Sequence, residues 1–75
     1  MTSTTDPYMN LAHAIITQAA NDYRKALLQL KENPAYYPAR KEKTEIEDFF
    51  LGPWFGVLSE ADPEYILSAL RRECV

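Results

Sequence analysis

The chain is 75 residues long and carries eight Lys/Arg against eleven Asp/Glu, a formal charge of −3, with one His and one Cys. That length allows a single domain, and the lone cysteine and histidine exclude an intramolecular disulfide and a Cys/His zinc site. The acidic balance argues against a general binder of phosphate backbones, which is normally basic, yet it is too mild for a DNA mimic.

Residues 1–5 are small and polar with nothing to bury, so they are expected to be a disordered tail ahead of a single helical domain over residues 6–75. Asp6-Pro7 supplies a helix start, Asp as N-cap and Pro at the first helical position. Ala12, Ile15, Ile16, Ala19, Tyr23, Ala26, Leu27 and Leu30 then recur at spacings of three and four, which predicts a long amphipathic helix. Asn21, Arg24, Lys25, Gln29 and Lys31 form its solvated side. Asn33-Pro34 ends it, because proline removes a backbone donor and pushes the preceding residue out of the α region.

A second helix is expected to start near Pro38, within the window 34–38, and to run to about Leu51. Ala39, Ile46, Phe49, Phe50 and Pro53 share one face, with Arg40, Lys41, Glu42, Glu45, Glu47 and Asp48 mostly outside it. Gly52-Pro53 breaks this helix and starts a short helical turn through Trp54, Phe55, Val57 and Leu58, in which Gly56 leaves room for a close backbone contact. Asp62-Pro63-Glu64 repeats the cap-then-proline start and opens a last helix whose buried side is Tyr65, Ile66, Ala69 and Leu70, with Arg71 and Arg72 suited to its C-terminal dipole end. The expected fold is all-α: a small bundle in which two longer helices form an antiparallel hairpin and two shorter C-terminal helices pack across it.

The stretch from Glu45 to Leu70 concentrates Phe49, Phe50, Trp54, Phe55 and Tyr65, and only this cluster offers enough large side chains to form a core. Trp54 and Phe55 are adjacent, and neighbours on a helix diverge by about 100°, so one of them fills the core and the other faces elsewhere. A core of this size supplies about 3–5 kcal/mol, and with no disulfide or metal to add to it a homo-oligomer is expected.

Catalytic groups are sparse. Both glycines lie in the 52–56 turn, so there is no phosphate loop, and one His near the N-terminus with one Cys at position 74 makes no nucleophile, base and acid set. No catalytic residue, metal ligand or cofactor is assigned. Glu42, Glu45, Glu47 and Asp48 read as a solvated face balanced by Lys41 and Lys43 rather than a cation site. The better functional cluster is Tyr36, Tyr37, Arg40, Lys41 and Lys43, together with Trp54 or Phe55, because aromatic and arginine side chains anchor protein interfaces. The N-terminus has no basic region followed by an apolar run, and no apolar stretch approaches the roughly 20 residues that span a bilayer, so a cytoplasmic protein without a membrane partner is expected.

The succession DYRKALLQLKENP followed by EIEDFFLGPWFGVLSEADPEYILSAL resembles a family of small helical proteins carried by phages and mobile elements of Gram-positive gut bacteria, over about residues 11–73. The resemblance rests on Asp22-Tyr23-Arg24, Ala26-Leu27, Leu30, Asn33-Pro34, Glu45-Ile46-Glu47, Phe49-Phe50, Trp54-Phe55, Leu58, Asp62 and Tyr65. Members often have a polar pair where this chain has Gly52-Pro53, and the family lends no activity. It implies a non-enzymatic accessory protein that binds and inhibits or sequesters a host bacterial component, a protein or defence complex, in the manner of a counter-defence inhibitor; a nuclease complex or a nucleotide signal would be such a target. The alternative is a DNA-associated regulator using Arg24, Lys25 and Lys31, or Arg40, Lys41 and Lys43, as a basic face. The first hairpin also looks faintly like one tetratricopeptide unit, but a single unit has no neighbour to stack on.

Overall fold

The computed structural model describes residues 7–74 and places four helices in them: α1 (Pro7–Glu32), α2 (Tyr37–Leu51), α3 (Pro53–Leu58) and α4 (Pro63–Glu73). No strand occurs among the described residues. The Asp6 cap and the 1–5 tail lie outside them.

Each helix boundary has a local cause. Asn33 closes α1 by donating its backbone N–H to the Gln29 carbonyl at 2.9 Å, and its own carbonyl accepts from Tyr36 at 3.0 Å, which turns the chain back on itself. Tyr36 then stands at the N-cap of α2 with extended backbone, and Pro38 occupies the first turn, where its missing N–H costs nothing. Asp62 caps α4 with its side chain, its Oδ1 accepting from the Glu64 N–H at 3.0 Å, and Pro63 follows at once. Glu64 lies in the first turn of α4 and Arg71 and Arg72 in its last, which suits the helix dipole at both ends.

Helices α1 and α2 pack as an antiparallel hairpin, with Tyr23 and Glu47 about equally far from the 33–36 turn and hydrogen-bonded to each other. Helix α4 returns alongside both, and α3 lies across the end of α2. The buried core is Tyr23, Ile46, Phe50, Phe55, Leu67 and Leu70, flanked by Ile16, Ala19, Ala20, Leu27, Phe49 and Ile66. Phe49, Phe50 and Phe55 meet edge-on or tilted at centroid separations of 5.2–6.2 Å, the arrangement that aromatic quadrupoles favour.

Three expected faces are corrected. Tyr65 is 67% exposed, and Leu67 is buried in its place. The reason is Arg71, which hydrogen-bonds Tyr23 and Glu47 and so turns the Leu67–Leu70–Arg71 side of α4 inward. Tyr65 lies about 200° around the helix from Leu67 and is therefore carried outward. Ile15 is exposed at the edge of the α1 stripe, while its neighbour Ile16 packs on the core. Pro53 is exposed at the start of α3 rather than sharing the buried face of α2.

Gly52 ends α2 as expected, and the close backbone contact expected at Gly56 is found at Gly52 instead. A Cβ on Gly56 would meet nothing within 4 Å, whereas one on Gly52 would lie 2.8 Å from the Asp48 carbonyl oxygen. The close backbone approach is thus at Gly52, where α2 ends and α3 begins. Gly52→Ala is expected to destabilise by about 1–3 kcal/mol, because the obstacle is backbone and not a flexible side chain. Gly56→Ala, inside α3, is expected to stabilise by up to about 1 kcal/mol through lost unfolded-state entropy. Opposite shifts in denaturant midpoint are the expected readout, and shifts of the same sign would contradict this junction geometry.

Candidate protein-binding surface

The adjacent pair at the start of α3 divides as helical geometry requires. Phe55 is 1% exposed and belongs to the three-ring core, so it is not available to a partner, whereas Trp54 is 70% exposed. Trp54 thus stands on a turn whose next residue is locked between Phe49 and Phe50.

Tyr36, Tyr37, Arg40 and Lys41 lie at the other end of α2. Tyr36 and Tyr37 are 42% and 65% exposed. Tyr37, Arg40 and Lys41 line a shallow hollow of about 350 Å³ with Thr44 and Glu45 on the outer face of the helix. A 15-residue helix is roughly 22 Å long, so this group and Trp54 are separate patches within one chain. Lys43 does not join either of them. It turns toward the bundle and pairs with Glu47 at 2.9 Å.

The most constrained polar cluster is one that the sequence reading did not single out. Tyr23, fully buried on α1, donates its hydroxyl to Glu47 Oε2 at 2.6 Å, and Arg71 of α4 donates its Nε to the same hydroxyl at 3.0 Å. Arg71 Nη2 also reaches Glu47 Oε2 at 3.3 Å, so one carboxylate ties together α1, α2 and α4. Burial, reinforced by the Glu47 hydrogen bond, pushes the Tyr23 phenol up to about 12, with Arg71 opposing. Burial alone would raise the Glu47 carboxyl, but the hydrogen bonds from Tyr23, Lys43 and Arg71 outweigh it and hold the group below its ordinary value. The signal in the sequence was Tyr23 itself, since a tyrosine on a core-facing stripe needs a partner for its hydroxyl.

A second tie joins α1 and α4, where Arg24 donates to Glu73 through Nε at 2.8 Å and Nη2 at 3.3 Å. This hydrogen bond lowers the Glu73 carboxyl and raises the Arg24 guanidinium. Half of the six cations proposed as basic faces are therefore matched. Arg24 pairs with Glu73, Lys41 with Glu45 at 3.3 Å, and Lys43 with Glu47. Cys74 is half-buried, its thiol 3.9 Å from the Arg24 carbonyl oxygen.

Among the described residues no three His, Cys, Asp or Glu side chains converge as metal ligands, and no helix is long and apolar enough to cross a membrane. An open groove of about 800 Å³ lies between the N-terminal half of α1 and the chain from Gly56 to Glu60. His13, Ile16, Leu58 and Glu60 are among the residues that line it, and among the described residues no lysine or arginine does. No family model matches the chain, and neither a curated protein nor a solved structure shows significant similarity to it.

Proposed function

We propose that this chain is a non-enzymatic accessory protein of a phage or mobile element that binds a host bacterial protein and inhibits or sequesters it. The observation that carries the reading is Trp54: a tryptophan 70% exposed, adjacent in sequence to a residue 1% exposed. Tryptophan, tyrosine and arginine dominate the energetics of protein interfaces, and an anchor held on a fixed base loses less entropy on binding than one on a loose loop. Tyr36, Tyr37 and Arg40 add a second group of the same residue types.

A nucleotide target fits less well than a protein. Among the described residues the 800 Å³ groove offers Glu60 and His13 but no lysine or arginine, a poor match for the charge of a phosphorylated ligand. The regulatory alternative, binding to DNA, is disfavoured by the ion pairs of Arg24, Lys41 and Lys43, each of which brings a carboxylate within hydrogen-bond range of the cation. Duplex binding draws on several cations left to face phosphates.

The test is capture from a lysate of the bacterial host, with the full-length chain immobilised and the retained proteins identified by mass spectrometry. A partner is expected whose binding weakens by about 2 kcal/mol or more, roughly thirtyfold, on Trp54→Ala. The variant should melt like the wild type, because substitutions at exposed sites move stability by about 0.5 kcal/mol or less. Equal retention of the same partner by the folded variant would remove Trp54 as the anchor.

A further inference from the structure

The charges on α2 run against the helix's own dipole. Arg40, Lys41 and Lys43 occupy its N-terminal half with Glu42 among them, and Glu45, Glu47 and Asp48 its C-terminal half, with no acid in the first turn and no base in the last. A helix favours the reverse order, and even the exposed Lys41–Glu45 pair has the weaker sequence, base before acid. Lys43 and Glu47 are explained by the cluster around Tyr23. Arg40 and Asp48 are not, since both are exposed and neither has an ion pair among the described residues. A local preference broken without a gain inside the fold points to a contact outside it.

Tyr37, Arg40, Thr44, Asp48 and Leu51 fall at spacings of three and four, within about 40° of one line down the outside of α2. Tyr37 is 65% exposed and Leu51 55%. The stripe is symmetric about Thr44 in its layout: a large side chain at each end, a base on one side of the threonine and an acid on the other. Laid antiparallel on a second copy with a two-fold axis at Thr44, it sets Tyr37 against Leu51 and Arg40 against Asp48, each contact made twice. The two threonines meet at the axis, where small side chains let the helices approach, and the two helix dipoles run in opposite directions. The 350 Å³ hollow is bounded by Tyr37, Arg40, Lys41, Thr44 and Glu45, and the first four of these have the spacing of the hole that receives a side chain from a facing helix. The residue that the two-fold axis sets over it is Asp48 of the second copy, between Arg40 and Lys41.

We propose that the chain forms an isologous two-fold dimer by antiparallel pairing of the outer faces of α2, with Thr44 at the axis and Arg40 facing Asp48 of the second copy. This goes beyond the partner-binding reading: it assigns Tyr37 and Arg40 to the contact between copies and leaves Trp54 as the anchor of that reading. The pairing has a further consequence for the surface. It brings Tyr36 and Tyr37 of one copy alongside the Leu51 end of the other, the end from which α3 and Trp54 follow, so aromatics a helix length apart in one chain gather across the axis.

Charge reversal tests this arrangement directly on the full chain, with mass measured by sedimentation equilibrium at low salt over a rising concentration series. The wild type should climb from 8.6 kDa toward twice that value. Arg40→Asp and Asp48→Arg should each weaken association on the order of a hundredfold, because the two-fold axis turns either change into two like-charge contacts. An equimolar mixture of the two variants should associate again, since acid then faces base at both ends of the heterodimer. Both substitutions place charge in the sense that the helix dipole favours, so circular dichroism should show helix content retained. A wild type that stays at monomer mass, single variants that dimerise unimpaired, or a mixture that stays monomeric would each overturn the proposal.

Discussion

Replacing Phe50 by alanine is expected to lower stability by about 3–5 kcal/mol, which leaves the chain largely unfolded at room temperature. Phe50 is 1% exposed and packs against both Phe49 and Phe55 at centroid distances of 5.5 and 5.2 Å. Its removal forfeits the transfer energy of the ring and opens a cavity where α2, α3 and the rest of the core meet. The cost falls on a small total, because a single core below about 70–80 residues seldom supplies more than about 3–5 kcal/mol. Phe50→Leu keeps more of the volume and should leave a folded protein with a lowered midpoint. Chemical denaturation followed by circular dichroism is the check, and a Phe50→Ala variant that melts like the wild type would contradict the placement of this ring.

The second large effect is expected at Glu47. Glu47→Ala should destabilise by about 2–3 kcal/mol, since it leaves the buried Tyr23 hydroxyl without its acceptor and sets Arg71 beside Lys43 with no carboxylate between them. Glu42→Ala, on the exposed side of the same helix, should cost about 0.5 kcal/mol or less.

The cluster also sets a pH dependence with a definite sign. Glu47 has a lowered folded-state value, so its contribution is complete above the ordinary carboxylate range and is lost as acid protonates the folded form. Tyr23 has a raised one, so its contribution is complete below the ordinary value of 10.0 and is lost as pH rises from there to about 12. Tyr23→Phe should remove the alkaline loss and Glu47→Gln the part of the acid loss that Glu47 contributes, leaving that of Glu73. Stability curves for the two variants that fall in parallel with the wild type at both extremes would show that the cluster does not couple to folding.

The hairpin and its caps were legible because local chemistry and helical period agree there. Asn33-Pro34 and Asp62-Pro63 act through backbone geometry that a sequence states outright, and Phe50 sits at the overlap of two apolar spacings. The side of α4 was less legible. Its Tyr65 and Leu67 are both apolar enough to be buried, and the choice between them is made by Arg71 reaching Tyr23 and Glu47 on two other helices. Glu47 was read as surface for the same reason, because its cations come from Lys43 on its own helix and Arg71 in another, and only the first is visible in a single stretch. The close approach at Gly52 is likewise tertiary in origin, since its cause is the direction in which α3 leaves α2.

In the candidate surface, the division between Trp54 and Phe55 followed from helical geometry, but which residue went outward depended on where Phe49 and Phe50 had already packed. That the tyrosines and Trp54 form two patches, and that Lys43 belongs to neither, follows from the length and rotation of α2. No composition argument reaches those two facts.

Whether function resides in aromatic anchors or in a basic face is tested most directly by one salt titration. Retention of duplex DNA and of the captured partner by the full-length chain is measured side by side between about 50 and 200 mM salt, a range over which binding through six to ten phosphates loses roughly 10³–10⁵ in affinity. An aromatic-anchored interface predicts no DNA retention near physiological salt, and partner binding that persists across the range and drops on Trp54→Ala. Tight duplex binding that collapses as salt rises, with partner retention indifferent to Trp54, would contradict it and establish the chain as a DNA-associated protein.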